Sequence, residues 1–251
     1  MPRFFIRQTQ INGDKLTLVG DDAHHIARSL RMAVGDSVTV CDMQGNEYGC
    51  KINGFDEDRQ IFLDVESVKA PENEPPLKIR LFQALPKGDK LDTIIQKAVE
   101  CGATEIIPFE SERCVVRVKS EAEGRKTERR QKIATEAAKQ CGRSVLPRVS
   151  ETVGFSQMLD MIKEDELCLF CYEGDGTEPL GSVLKNHLGD KTRISVVIGS
   201  EGGFSLKEAE RIREVGAKAV GLGKRILRTE TASGFVLACL VYATELYGNT
   251  W

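Results

Sequence analysis

Five charged side chains stand close together in two short glycine-bearing stretches of this 251-residue chain: Glu201 in the first, and Lys224, Arg225, Arg228 and Glu230 in the second. The first stretch reads Ile198-Gly199-Ser200-Glu201-Gly202-Gly203-Phe204-Ser205, the second Leu222-Gly223-Lys224-Arg225-Ile226-Leu227-Arg228-Thr229-Glu230-Thr231-Ala232. Each follows an apolar run, Ile194 to Ile198 and Ala217 to Leu222, that reads as a buried strand, and each feeds a helix. In an open parallel sheet, ligands bind beyond the carboxyl ends of the strands, where glycine lets backbone come close to them. The two stretches therefore read as two walls of one pocket. A glycine loop before a helix favours anions, but the first loop lacks the lysine of a phosphate-binding G-x-x-x-x-G-K-[ST] loop and carries Glu201, which would repel phosphate. A ligand with a cationic centre fits better. Ser205 and Glu208 form an S-x-x-E capping box, which alone would make the first loop a plain turn into a capped helix. Four charges between a buried strand and an apolar helix, as in the second loop, exceed what a connector needs.

These two stretches closely resemble the signature of the bacterial ribosomal RNA small subunit methyltransferase E family, within the knotted SPOUT methyltransferases. The resemblance extends to Lys87-Gly88-Asp89-Lys90, to Ile95-Gln96-Lys97-Ala98 and to Glu136-Ala137 through Arg143, and so covers nearly the whole chain. Ser200 departs from it, standing where the family usually has proline, which loosens the turn slightly.

The resemblance implies an α/β protein: a C-terminal parallel-sheet SPOUT methyltransferase domain with a trefoil knot, and a small N-terminal PUA-like β-barrel domain. It implies S-adenosylmethionine as methyl donor, a homodimer whose second subunit lies beside the donor pocket, and methylation of a uridine N3 in 16S small-subunit ribosomal RNA, free or in the assembled subunit. The donor is then expected around Ile198, Gly199, Glu201, Gly202, Gly203, Leu222, Gly223, Ile226, Leu227, Arg228, Thr231 and Ala232, largely through backbone groups. Uridine N3 carries a proton at neutral pH, so transfer needs that proton removed or the charge developing on the flanking carbonyls stabilised. Arg228, a fixed cation, is the candidate for stabilisation. Glu201 or Glu230 could serve as base or hold the loop, and Glu201 could equally orient the glycines through backbone hydrogen bonds.

The elements that must position these groups are legible further back. With 41% hydrophobic and 29% charged residues, the composition is that of a soluble globular protein of one large or two ordinary domains. Eight scattered cysteines, no signal peptide and no apolar run of membrane-spanning length point to free thiols in a reducing cytoplasm, with no membrane partner. Cys168-Leu-Phe-Cys171 lies inside the apolar run Leu167 to Tyr172 and reads as buried strand rather than a redox or metal pair. The three histidines form no zinc ligand set.

Residues 1–70 read as short strands, Phe4 to Ile6, Lys15 to Val19, Ser37 to Asp42, Glu47 to Phe55 and Gln60 to Val68, separated by turns at Asn12-Gly13, Gly45-Asn46 and Asp56 to Asp58. One helix, Asp21 to Met32, should bury Ala23, Ile26, Ala27 and Leu30 and leave Arg28 and Arg31 outside. Ala70 to Pro76 is proline-rich and polar; residues 71–77 read as a linker, and 78–251 as the alternating strands and helices of a parallel sheet. Its first strand is Ile79 to Leu85, and the helix after it aligns Leu91, Ile94, Ile95, Ala98 and Val99 and stops at Gly102.

The chain carries a net charge of −3, so RNA binding would need local basic patches. Residues 1–31 hold five Lys/Arg against three Asp/Glu, which points to Arg3, Arg7, Arg28 and Arg31, although a solvated face has the same charge count. Residues 110–148 hold eleven against six, with Arg113, Arg117 and Arg143 at element ends as candidates. Ala232 to Ala243 is apolar nearly all round, so one side should pack on the sheet and the other, through Val236 and Leu240, on a second subunit. A phosphate- or nucleotide-binding enzyme and an RNA chaperone without chemistry are the competing classes; Glu201 counts against the first and the charged second loop against the second.

Overall fold

The computed structural model describes residues 1–56, 60–117 and 120–246. The turn expected at Asp56 to Asp58 lies outside the described residues from Glu57 on. The chain divides into two compact units, Met1–Glu74 with Ala138–Leu146, and Pro75–Ala137 with the chain from Pro147 onward. This differs from an uninterrupted second domain behind a linker at 71–77. Glu74 supplies the reason: its carboxylate accepts from Nε and Nη2 of Arg143 at 3.1 and 2.7 Å and from the backbone N–H of Ser144 and Val145 at 2.7 and 2.9 Å. A residue that reads as linker is an anchor for a segment 70 positions away.

In the first unit, β1 (Arg3–Phe5), β2 (Ile11–Asn12), β3 (Lys15–Leu18), β4 (Ser37–Cys41), β5 (Glu47–Phe55) and β6 (Ile61–Lys69) form one sheet in the order β1-β4-β5-β6-β3-β2. All pairings are antiparallel except β1 with β4. Phe4, Leu16, Val38, Val40, Ile52 and Leu63 fill the core on alternate positions, as period-2 strands require. The helix begins as α1 (Gly20–His24) and continues as a π-turn over His25–Leu30. That wider winding breaks the i, i+4, i+7 alignment: Ala23 and Ile26 are buried, whereas Ala27 and Leu30, expected beside them, face out. Arg28 and Arg31 are exposed.

The second unit alternates as its sequence suggests: β7 (Lys78–Ala84), α2 (Lys90–Glu100), β8 (Ala103–Glu110), α3 (Ser120–Cys141), β9 (Arg148–Val149), β10 (Val153–Gly154), α4 (Phe155–Ile162), β11 (Leu167–Cys171), β12 (Glu178–Pro179), α5 (Leu180–His187), β13 (Arg193–Ile198), α6 (Leu206–Glu214), β14 (Lys218–Gly221) and α7 (Thr229–Val241). The strands are all parallel, in the order β10-β8-β7-β13-β11-β14-β12, with β9 beside β8. Every residue of β11 is buried, as in a sheet covered on both faces. Cys168 and Cys171 lie in it, and burial pushes both thiols up, so they are core residues.

Helix α7 packs on α2 and β13, burying Ser233, Val236, Leu237 and Leu240. Val236 and Leu240 are therefore core residues and not the subunit contact expected of them. A helix that is apolar all round carries no phase in its sequence, so its inner side cannot be told from its outer one. The outward apolar residues are Phe235, Ala238 and Tyr242.

Candidate active site

At the carboxyl ends of β11, β13 and β14 a cavity of about 490 Å³ opens, bounded by the loop after β13 and the loop after β14. Ser205 caps α6 in the expected manner: its Oγ accepts from the Glu208 N–H at 3.3 Å, and Glu208 Oε2 accepts from the Ser205 N–H at 3.0 Å. Glu208 Oε1 also accepts from the Glu112 N–H at 2.7 Å, so the cap ties the loop to the segment after β8. The capping box and the cavity wall are thus one structure.

The glycines of the first loop are dictated by packing. A side chain at Gly199 would lie 2.9 Å from the Phe204 ring, which sits edge-on to Phe170 at 5.0 Å and stacks on Phe109 at 6.3 Å. Gly203 has φ +63°, and a Cβ there would collide with the carboxylate of Glu173. Glu173 lines the cavity from the loop after β11 and has no hydrogen-bond or ion-pair partner among the described residues.

Beneath the loops, buried Gln83 at the end of β7 joins both walls. Its Nε2 donates to Gly199 O at 3.3 Å and to Thr229 Oγ1 at 2.9 Å, while Thr229 Oγ1 donates to Gly199 O at 2.6 Å. Above, Glu201 accepts from the Lys87 backbone N–H at 3.2 and 3.3 Å and from Lys90 Nζ at 2.8 Å. Burial would raise the Glu201 carboxyl, but Lys90 and the backbone N–H groups outweigh it and hold it below the usual carboxylate range. Glu201 is an ionised group with both oxygens engaged. Lys90 Nζ also approaches Glu230 at 3.4 Å. The Oγ of Ser200, on the cavity wall, is buried without a hydrogen-bond partner.

Of the residues expected around a donor, Ile198, Gly199, Glu201, Gly203, Leu222, Gly223, Ile226, Leu227, Arg228 and Ala232 line the cavity. Gly202 and Thr231 are not among its lining residues, nor is Glu230. Ile226 stands out of the wall, 89% exposed. Arg228 is exposed at the N-cap of α7, and no partner holds its guanidinium among the described residues. Gln83, Lys90, Glu173 and Thr229 were not read from the sequence as site residues. Lys90 and Thr229 lie in stretches that carry the family resemblance, and Gln83 is one of the polar residues in an otherwise apolar strand, but none of these declares a role by its local sequence.

The arginines expected on RNA divide. Arg3 is drawn inward onto Glu47 at 3.1 Å, Ser144 Oγ at 3.0 Å and Cys41 Sγ at 3.0 Å, and Arg143 is buried on Glu74, so neither presents its charge at the surface. Both sit beside a carboxylate that a charge count along the chain could not pair with them. Arg117 donates to the carbonyls of Ser111 and Glu112 and holds a turn. Arg113 is exposed, and its Nη1 donates to Gly202 O at 3.1 Å. Arg7, Arg28 and Arg31 are exposed. No candidate metal cluster occurs and no helix is long and apolar enough to cross a membrane, both among the described residues.

Residues 73–241 match the RNA methyltransferase domain family, and residues 12–64 match the RNA methyltransferase PUA domain. The chain belongs to the ribosomal RNA small subunit methyltransferase E family. It is 36% identical to the Bacillus subtilis ribosomal RNA small subunit methyltransferase E, over 98% of each chain. The crystal structure of the Neisseria gonorrhoeae enzyme of that name, bound to S-adenosyl methionine, is similar at 30% identity and a TM-score of 0.85, covering 97% of this chain and 98% of that one. A Legionella pneumophila methyltransferase structure in complex with the bound cofactor SAM is similar at 29% identity and the same TM-score, over 96% and 97%. The chain is thus an RNA methyltransferase with an N-terminal PUA-type unit.

Proposed function

We propose that the cavity between the two glycine loops binds S-adenosylmethionine and that the methyl group is transferred to N3 of one uridine in 16S small-subunit ribosomal RNA. The observation that carries this reading is a cavity of about 490 Å³ lined by both the Glu173 carboxylate and the Arg228 guanidinium, neither of which has a partner among the described residues. Its size suits a nucleoside-sized ligand. A carboxylate suits a ligand bearing a sulfonium and an ammonium, and the buried Ser200 hydroxyl is a further polar group awaiting a partner. The ligand-bound relatives from Neisseria and Legionella support the same assignment.

When bound, the donor supplies an electrophilic methyl group. The chain's part is to hold the wall through Gly199, Gly203, Leu222, Gly223, Leu227 and Ala232, and to meet the charge that develops on the uracil carbonyls with Arg228. Glu201, with both oxygens engaged, serves to fix the first loop. Glu230, which Lys90 Nζ approaches only at 3.4 Å, is held less closely than Glu201 and is the candidate for the N3 proton. Arg7, Arg28, Arg31 and Arg113 are assigned to RNA phosphates. The same reading includes a trefoil knot around the second loop, a homodimer formed through Phe235, Ala238 and Tyr242, and action in the cytoplasm, where the eight free thiols stay reduced.

Calorimetry with S-adenosylmethionine, ATP and NAD tests the ligand. Binding of the first alone is expected; binding of ATP or NAD in its place would overturn the assignment.

A further inference from the structure

Lys90 occupies a position that the chemistry above does not explain. Its ammonium sits on the cavity wall, 2.8 Å from Glu201 Oε1 and 3.4 Å from Glu230 Oε2. These carboxylates belong to different loops: Glu201 to the turn after β13, Glu230 to the first turn of α7, directly behind the loop after β14. Lys90 itself starts α2, and the backbone N–H of Lys87, three residues earlier, donates to the same Glu201. One cation therefore joins three segments around the cavity mouth. Its side chain is one-third exposed and the carboxylates are about one-quarter exposed, so screening is incomplete.

A lysine here is otherwise unexpected. The ligand assigned to the cavity carries a sulfonium, an ammonium and a carboxylate, a net positive charge. A wall built only to attract that ligand would leave Glu201 and Glu230 unneutralised. Removing the ammonium, however, would leave two carboxylates facing each other across the mouth, and like charges in a partly desolvated site push apart.

We infer that Lys90 is a positioning residue for methyl transfer: it holds the two glycine loops at a fixed spacing through Glu201 and Glu230, and this matters more to donor binding than the repulsion it exerts on a cationic ligand. The inference rests on the reading of the cavity as the donor site.

The sign of one measurement decides it. If Lys90 acted only as a nearby charge, Lys90→Met would tighten S-adenosylmethionine and leave the uncharged-sulfur product S-adenosylhomocysteine nearly unchanged. As a positioning residue, its loss weakens both ligands by about tenfold, the size of a typical coupling in a shared network. Lys90→Arg, which keeps the bridging cation, restores most of the affinity, and Lys90→Met with Glu201→Gln regains part of it by removing the repulsion. The midpoint of thermal unfolding, read alongside, separates loss of fold from loss of spacing. Tightened or unchanged S-adenosylmethionine binding by a folded Lys90→Met protein would overturn the inference. A wild-type protein that binds neither ligand would instead overturn the donor assignment beneath it.

Discussion

At the scale of single residues, the site is a set of close approaches more than a set of reactive groups. Gly203 was expected to leave room for a ligand, but its Cβ position is filled by the Glu173 carboxylate, and its φ of +63° is strained for any β-branched side chain. Gly203→Val is therefore expected to displace the first loop and weaken S-adenosylmethionine more than about tenfold while unfolding stays cooperative; unchanged affinity in calorimetry would show that this loop is no wall of the donor site. Arg228→Ala should lower kcat by roughly 10²–10³, the usual loss when one fixed donor to a developing oxyanion is removed, and Arg228→Lys should recover little because the planar fork is gone. Full activity in either variant, in a single-turnover methyl-transfer assay, would remove Arg228 from the mechanism. The glycines and Arg228 were legible because each announces itself by type and local spacing. Gln83 and Lys90 were not, because their roles arise from partners far away in sequence, as in the 111-residue separation of Lys90 from Glu201, and Glu173 was not because only the fold brings its carboxylate against Gly203.

At the scale of elements, β7, α2, β11, β13 and β14 followed from periodicity and from apolar runs bounded by turn residues, whereas β8, β9, β10, α4, β12 and α5 were not read from the sequence. The phase of α7 did not follow, for a uniformly apolar helix gives no moment to orient it. Its burial now separates two substitutions that the sequence treats alike. Val236→Glu places an unpaired charge in the core and should cost at least ~3 kcal/mol, seen as a large fall in the thermal midpoint. Phe235→Glu, on the outward face, should leave the midpoint of the subunit nearly unchanged and shift the protein to monomers in sedimentation. A folded Phe235→Glu protein that sediments as wild type would place any subunit contact elsewhere. The π-turn after α1 is a second case in which local winding, invisible to a 3.6-residue template, decided which side chains are buried.

At the scale of the whole molecule, each unit is organised around carboxylates that gather distant segments, and charge counts along the chain could not find them. In the first unit, burial would raise the Glu47 carboxyl, but Arg3 and Ser144 outweigh it and hold it below its ordinary value. A carboxyl depressed in the folded state stabilises the fold above its unfolded pKa, and that contribution disappears as pH falls through the lower folded value. Glu47→Gln should therefore cost about 3 kcal/mol at neutral pH, as expected when one member of a buried pair is removed, and the gap from wild type should narrow in acid. A gap independent of pH in denaturant titrations would rule out the ion pair as its source. Arg28 and Arg31, exposed on the same unit, should carry RNA phosphates: the double alanine variant is expected to reduce the slope of log affinity against log salt by roughly 1.5. An unchanged slope would make them plain solvated surface. The central claim is the methyl transfer itself, and it is tested most directly by incubating the protein with methyl-labelled S-adenosylmethionine and unmodified small-subunit ribosomal RNA, free and in assembled subunits, and locating the label by nuclease digestion and mass spectrometry. Label at N3 of a single uridine is the predicted result; label on a ring carbon, on a ribose or on no nucleotide of either substrate would contradict it.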